Sequence, residues 1–561
     1  MKKTFFRKFF CILLLTTLIP LTFVLADSEE QVKSFFVDSF FDSEHREKVS
    51  AVLLEVSENA YFYLEDEWYR GLVGEERKEI DEKLEKLGKE FDEVIYPGLT
   101  STYGSEWKPG IDDDSHVTIF FHQMKENAGG YFSNGDEYPE IQSPNSNERE
   151  MIYLNIIYLE QDIMKSYIAH EFTHLITFNQ KERLKGVIEE IWLNEARADY
   201  APTLLGYDEN YQNSNLQQRV RQFISLPSDS LIEWKSEAGD YGVVSVFTQY
   251  LVENFGIEIL IDSLQSYKVG VASLDYALSK NEKEKSFFQI FIDWTITIFL
   301  NDCQAGEEYC YKNQNLKNLR ITPSLIFLPS TQKTDVFLSY FIKQWSGNWY
   351  RIIGGEGSLK LNFNGDDKYE FNVPYILCSK SFQCSVNFLE LNNKQESEIY
   401  FEDFGDNYTS LTLVPSISND DKSLYPFSLS ISMEMKTDNE ELINALKAQI
   451  VKIKAQIVAL QSKLRGSDPG NSRGFSRNLY YGLKISDVSR LQEFLKSQGE
   501  DIYPEGLITG FFGRLTEMAV IRFQEKYASE ILEPLGLTEG TGFVGSSTLT
   551  KINQIFSDVS N

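Results

Sequence analysis

The run HEFTH, His170 to His174, constrains this chain more than any other five residues. Two imidazoles four apart around a glutamate can face one ion only if the segment is helical, because that spacing puts both side chains on one side of a helix. The surrounding DIMKSYIAHEFTHLITFNQ predicts such a helix, with Met164, Ile168, Phe172 and Leu175 along an apolar stripe. The bland alternative, a solvated helix that happens to carry histidines, has to use two of the five histidines in 561 residues.

Two histidines leave a catalytic zinc ion short of a protein ligand, since such sites keep three plus a water. WLNEARADY supplies a candidate 21 residues after His174, with Glu195 as third ligand. Asp199, four residues on and on the same helical face, can accept a hydrogen bond from the outer nitrogen of a liganding histidine and so fix its tautomer. Glu171 sits where it can take a proton from a water at the metal.

At these residues the chain resembles the thermolysin-type metallopeptidases, the gluzincins, whose pattern is HExxH followed by a glutamate on a later helix. More narrowly it is similar to the secreted hyicolysin-like group, through FDEVIYPGLTSTYGSEWKPGID, NAGGYFSNGDEYP and SNEREMIYLN upstream of AHEFTHLITFNQ. The resemblance covers roughly residues 50 to 300. It implies a two-lobed zincin-like fold, one catalytic Zn2+ at the floor of a cleft, and an edge strand for the substrate backbone. That strand falls at Gly129 to Phe132, where an ordinary glycine-rich turn is the competing reading. The implied chemistry is peptide-bond hydrolysis by zinc-activated water with Glu171 as general base. A donor to the developing oxyanion is also needed. Enzymes of this class use a Tyr or His after the zinc glutamate; no histidine follows His174, so the role goes to Tyr241 in GDYGVVSVF, with a core tyrosine as the alternative. His116 and His122 flank a strand pattern and read as core or surface residues. Calcium at Asp112 to Asp114 is a weaker reading than a solvated turn.

The length exceeds what one hydrophobic core supports, and 42% hydrophobic with 25% charged residues is ordinary globular composition. The chain is therefore expected to be multidomain α+β. Residues 1–26 read as a secretory signal peptide, with a basic start, an apolar stretch and small residues before Asp27. Without its four basic residues the chain carries 50 basic against 84 acidic, a net charge of −34, which is unsuited to nucleic acid. Cys303 with Cys310, and Cys378 with Cys384, suggest two local disulfides in an oxidising compartment, crossed pairing being the alternative. No later apolar run reaches the roughly 18 residues that span a bilayer. The nearest, Phe287 to Leu300, carries Asp293 and reads as a buried helix.

The metallopeptidase domain is expected over 27–320, turning mainly helical after Ile163, and an antiparallel β-sandwich over 321–436, where short alternating strands run from NWYRIIGG to FSLSISMEM. A coiled-coil helix over 437–466 follows, with Ile443, Leu446, Ile450, Ile453, Ile457, Leu460 and Leu464 at heptad spacing. It serves as a spacer or as a seam for self-association. A linker over 467–477 leads to a last module, 478–561. There Val488, Leu491 and Leu495 form one core stripe, and Ala519, Val520 and Phe523 another. With LQ at 491–492, GFFGRLTEMAV, FQ at 523–524 and GFVGSST, the module resembles the small three-helix peptidoglycan-binding domains that accompany cell-wall hydrolases.

Together these features predict a secreted or envelope-associated zinc endopeptidase that acts on protein or peptide, held at peptidoglycan by its terminal module, with no membrane span after signal cleavage. The alternatives are a catalytically inert wall-binding or adhesive surface protein and a hydrolase of wall peptide cross-links.

Overall fold

A computed structural model describes residues 27, 31–330, 332–381, 383–419, 424–435, 446–454 and 474–558. The signal peptide expected over 1–26 and most of the heptad helix and linker lie outside these residues. The described chain is multidomain α+β and divides into two compact units, Met1–Glu189 with Ala201–Glu209, and Glu190–Tyr200 with Asn210–Asn561.

The first unit is built on a six-stranded sheet of β1 (Val32–Phe36), β2 (Lys48–Val56), β3 (Ala60–Glu65), β4 (Val117–His122), β5 (Gly130–Phe132) and β6 (Met151–Asn155), ordered β1-β2-β3-β4-β6-β5. β3, β4 and β6 run parallel and are buried along their whole length, which is why they read as nearly unbroken apolar runs. Side chains alternate across the sheet: Tyr61, Tyr63, Phe120, Met151 and Tyr153 gather on one face. The helices of this unit are α1 (Asp66–Gly71), α2 (Glu75–Glu90), α3 (Tyr96–Tyr103) and α4 (Met164–Thr177), the last carrying the HEFTH run. α2 buries Ile80, Leu84 and Leu87, the stripe legible in its sequence. β5 pairs antiparallel with β6 on one side and ends the sheet on the other, so Gly130–Phe132 is an edge strand and not merely a turn.

Buried acids fix the loop that follows β5. Asp136 accepts from the Asn147 amide (2.6 Å) and the Tyr153 hydroxyl (2.7 Å). Glu150 accepts from the Ile111 amide (2.9 Å). Glu137 and Glu150 are each 2% exposed. Burial pushes the Glu150 carboxyl up to about 7, with the Asp112 charge adding to it. Burial and the neighbouring Glu150 charge raise Glu137 too.

In the second unit α5 (Ile191–Leu204), α6 (Asn215–Ser225), α7 (Ala238–Phe255), α8 (Glu258–Leu264), α9 (Gly270–Lys280) and α10 (Phe287–Leu300) bear out the mainly helical texture after Ile163, although α5 is continuous with residues of both units. α10 is buried from Ile290 to Leu300, and its Asp293 is paired with Lys285 (2.5 Å). No single described helix is long and apolar enough to cross a membrane.

Nine strands follow: β7 (Ser324–Leu328), β8 (Thr334–Ile342), β9 (Tyr350–Gly354), β10 (Gly357–Gly365), β11 (Pro374–Ser379), β12 (Cys384–Phe388), β13 (Glu396–Phe404), β14 (Tyr408–Leu413) and β15 (Tyr425–Met435). One block runs β13-β10-β15-β8, the other β12-β11-β14 with β9 and β7, and both bury side chains in one core that includes Leu361, Ile431, Leu377 and Leu411. The expectation of a purely antiparallel sandwich is corrected here. β7 and β9 are parallel, and β13 meets β14 in parallel through the single pair Phe404 and Tyr408, which joins the two blocks into one continuous sheet. Both local disulfides form, Cys303–Cys310 and Cys378–Cys384, the second linking directly opposed residues of β11 and β12.

Of the heptad helix, α11 comprises residues 446–454, with Leu446, Ile450 and Ile453 exposed. The terminal module packs α12 (Ser486–Ser497), α13 (Arg514–Lys526) and α15 (Ser546–Asp558), plus the single turn α14 (Ala528–Ile531), around Val488, Leu491, Leu495, Ala519, Val520 and Phe523. It makes a salt bridge to the sandwich through Glu539 and Arg351 (2.9 Å).

A carboxyl whose folded pKa is raised stabilises the fold while protonated and loses that contribution as pH rises through the folded value. Stability of the first unit is therefore expected to fall between about pH 5 and about pH 8, by up to about 3 kcal/mol from Glu150. Glu150→Gln, which keeps an acceptor for Ile111, should flatten that slope in melting curves recorded across the interval.

Candidate functional site

α4 is pinned by its apolar side. Phe172 packs on Phe91 (ring centroids 5.2 Å) and Tyr96 (5.6 Å), and Ile168, Phe172 and Leu175 are fully buried. That orientation turns His170 and His174 to the same side, with ring planes 81° apart and Nε2 atoms 3.2 Å apart. Two nitrogens each about 2.0–2.1 Å from a tetrahedral zinc lie about 3.3 Å from one another. The imidazole pair thus fits a zinc ion by its own spacing. Glu171, 7% exposed, occupies the adjacent position on the helix.

β5 lies against this helix. A side chain added at Gly130 would come within 3.1 Å of the Glu171 Cγ and 2.7 Å of the Tyr153 carbonyl oxygen, and one at Gly129 within 3.0 Å of the Tyr167 ring. Only glycine lets the edge strand run this close to Glu171. A separate cavity of about 470 Å³, lined by Phe36, Asp38, Tyr131, Asp136 and Tyr153, contains none of the motif residues.

Glu195 is on α5. The candidate ligand atoms of His170, His174 and Glu195 all lie within 4.8 Å of one another, close enough to share one ion. Two imidazole nitrogens and one carboxylate oxygen are the donor set of catalytic zinc sites that retain a position for water. Asp199, buried one helical turn beyond Glu195, accepts from the Arg219 guanidinium through Nε (3.0 Å) and a terminal nitrogen (2.9 Å).

Arg219 is a residue the sequence did not point to, because an arginine in an amphipathic helix carries no signal of its own. It comes from α6, and α6 reaches α7 closely because Gly242 has no side chain: a Cβ there would sit 2.3 Å from the Phe223 amide nitrogen. Burial alone would weaken the Arg219 charge, yet Asp199, Tyr241 and Glu195 hold its pKa above the usual value. Tyr241, in the first turn of α7, lies under that guanidinium, 4.5 Å from ring centroid to cation, and edge-on to Trp234 (4.8 Å).

The remaining histidines and acids serve structure. His122 is fully buried with its Nδ1 3.4 Å from Asp42, and His116 pairs with Asp114 (2.6 Å) while stacking on Tyr61. Asp114 also accepts from the Tyr61 hydroxyl and Asp112 faces Arg149 (3.4 Å), so these acids of the proposed calcium run have protein partners.

Residues 484–552 match the family model described as a peptidoglycan binding domain. The terminal module is thus a peptidoglycan-binding domain, and it supports association with the cell wall or envelope. No curated protein matches the chain. Among solved structures, PliG of Aeromonas hydrophila, a periplasmic inhibitor of g-type lysozyme, is 9% identical over 20% of this chain and 100% of its own, with a TM-score of 0.15. The pre-peptidase C-terminal domain of a Bacillus anthracis collagenase is 11% identical over 20% of this chain and 96% of its own, at 0.15. The M60 catalytic domain with CBM51 domains of Clostridium perfringens ZmpB is 8% identical over 69% and 60%, at 0.21. Likenesses this slight leave the terminal module as the part of the chain with an assigned family.

Replacing Arg219 by methionine takes the guanidinium from a buried carboxylate, so Arg219→Met should destabilise the protein by about 3–5 kcal/mol in a urea titration. Replacement of an exposed arginine such as Arg70 should cost under about 0.5 kcal/mol.

Proposed function

We propose that this chain is a zinc-dependent endopeptidase of the gluzincin type, with a zincin-like catalytic domain, that acts at the cell envelope and is retained there by its peptidoglycan-binding domain. The observation that carries the proposal is the 3.2 Å between the His170 and His174 Nε2 atoms, the spacing a tetrahedral ion requires. His170, His174 and Glu195 would hold the ion, as their ligand atoms within 4.8 Å of one another support. Bound zinc supplies a Lewis acid for the scissile carbonyl and lowers the pKa of a water at its open position.

The rest is the work of this chain's own side chains. Glu171 accepts the proton of the attacking water and returns it to the leaving amine, so that a neutral amine departs. The edge of β5 offers unshared backbone groups to an extended substrate, and Gly130 lets that substrate approach Glu171. Arg219 holds Asp199 by two hydrogen bonds and covers the Tyr241 ring, which fixes both beside Glu195. Asp199 is assigned to orient a liganding histidine, and Tyr241 to donate to the oxyanion. Expected release from the cell through the 1–26 leader, and a heptad helix that serves as a spacer or as a seam for self-association, complete the proposal.

Glu171→Gln should retain one zinc per chain by metal analysis and lose about 10²–10⁴-fold in turnover of casein. Equal turnover in both proteins would remove Glu171 as base. Gly130→Val should leave metal content unchanged and abolish cleavage, because a Cβ 2.7 Å from the Tyr153 carbonyl oxygen and 3.1 Å from the Glu171 Cγ displaces the edge strand from Glu171. Incubating the same proteins with isolated sacculi separates the competing assignments: released peptides without casein cleavage would mark a hydrolase of wall cross-links, and binding without either would mark an inert wall-binding protein.

A further inference from the structure

The peptidoglycan-binding domain contains one turn built twice. The side-chain oxygen of Gln492 accepts from the amides of Thr509 (2.8 Å) and Gly510 (2.9 Å), and its nitrogen donates to the Phe511 carbonyl (2.9 Å) and the Thr516 hydroxyl (2.8 Å). Gln524 does the same at identical offsets of 17, 18, 19 and 24 residues, with Thr541 (2.7 Å), Gly542 (3.0 Å), Phe543 (2.8 Å) and Thr548 (2.9 Å). Both glutamines are 1% exposed. Each turn, TGFFG or TGFVG, has its first glycine at a φ of +71° and then a phenylalanine that stays exposed, 41% for Phe511 and 43% for Phe543. The next residue, Phe512 or Val544, is fully buried.

The segment from Leu479 to Leu483 runs between the two turns. Leu479 exchanges both backbone hydrogen bonds with Val544, while the Gly482 amide donates to the Phe512 carbonyl and the Phe512 amide to the Leu483 carbonyl, both at 2.8 Å. This brings exposed Tyr480 onto Phe543, ring centroids 6.2 Å apart and planes within 22° of parallel, and leaves Tyr481 exposed beside it. The core of the domain is filled without these rings. An aromatic held outward at the same place in two copies of a fully hydrogen-bonded turn leaves an apolar face available to a ligand.

We infer that the Tyr480–Phe543 stack, with Phe511 on the companion turn, is the platform that takes the glycan strand of peptidoglycan, ring face against sugar face. This rests on the wall-binding reading and specifies which part of the wall is recognised. Near-parallel aromatic rings present flat apolar faces that suit the C–H face of a pyranose, and the phenol at the rim can exchange hydrogen bonds with sugar hydroxyls. Wall peptides carry free carboxylates and would call for cations; YYG and TGFVG, which form the stack, contain no charged residue, and Lys484 stands opposite Phe511 at the far turn.

The test uses the full chain in the Glu171→Gln background, sedimented with intact sacculi and with glycan strands freed of their peptides. Wild-type residues at the platform should bind both, and Tyr480→Ala with Phe543→Ala should weaken both by about tenfold or more. Tyr480→Trp, which keeps a ring, should bind both as before, and melting curves should be unchanged because the rings lie outside the core. Binding to sacculi but not to peptide-free strands overturns the inference in favour of the peptide, as does binding that the double alanine variant leaves intact. Failure of the unsubstituted platform to bind sacculi at all overturns the wall-binding reading itself.

Discussion

The direction in which two imidazole nitrogens 3.2 Å apart are presented is fixed because the helix that carries them cannot roll. α4 is wedged by Phe172 against Phe91 and Tyr96, while the two glycines at β5 let the strand close on Tyr167 and Glu171 from another side. A helix advances about 100° per residue, so a small rotation would swing both rings away together. Packing of apolar side chains, remote from any chemistry, therefore sets the donor geometry. The same packing explains how Glu171 comes to lie beside the histidines with little access to bulk solvent.

Charge is handled differently in different parts of this acidic molecule. Most buried carboxylates meet a cation at close range: Asp199 has Arg219, Glu189 has Lys181 (3.5 Å), Asp229 has Lys343 (3.0 Å) and Asp27 has Arg149 (2.8 Å). Asp136, Glu137 and Glu150 are among the departures, for no ion pair is found for them among the described residues. Burial raises the pKa of Glu137 and Glu150, which ties the loop after the edge strand to acidity. Arg219 orients the Asp199 carboxylate and the Tyr241 ring at once.

What the sequence disclosed follows from the range of the signal. HEFTH and NEARAD are local, and helical periodicity decides which side chains of each share a face, so each run could be read from its own spacing. The burial of α10 and the core stripes of the terminal module were legible for the same reason. Arg219 was not, since its role exists only once Gly242 lets α6 and α7 touch. β7 and β8 were missed because their outward positions carry Leu325, Phe327, Phe337 and Phe341, and exposed apolar residues erase the alternation by which a half-buried strand is recognised. The parallel contacts in the sandwich depend on which blocks curl together, a property of the whole sheet. The motif letters LQ and FQ were visible, but not that each amide satisfies four groups of a turn 17 or more residues away.

The two disulfides close loops of very short span, with their cysteines 7 and 6 residues apart. A bond broken between Cys303 and Cys310, or between Cys378 and Cys384, would leave the severed ends tethered through sulfur, and the strands or helix on either side would keep their partners. Nicks at those two segments would thus leave the chain in one covalent piece.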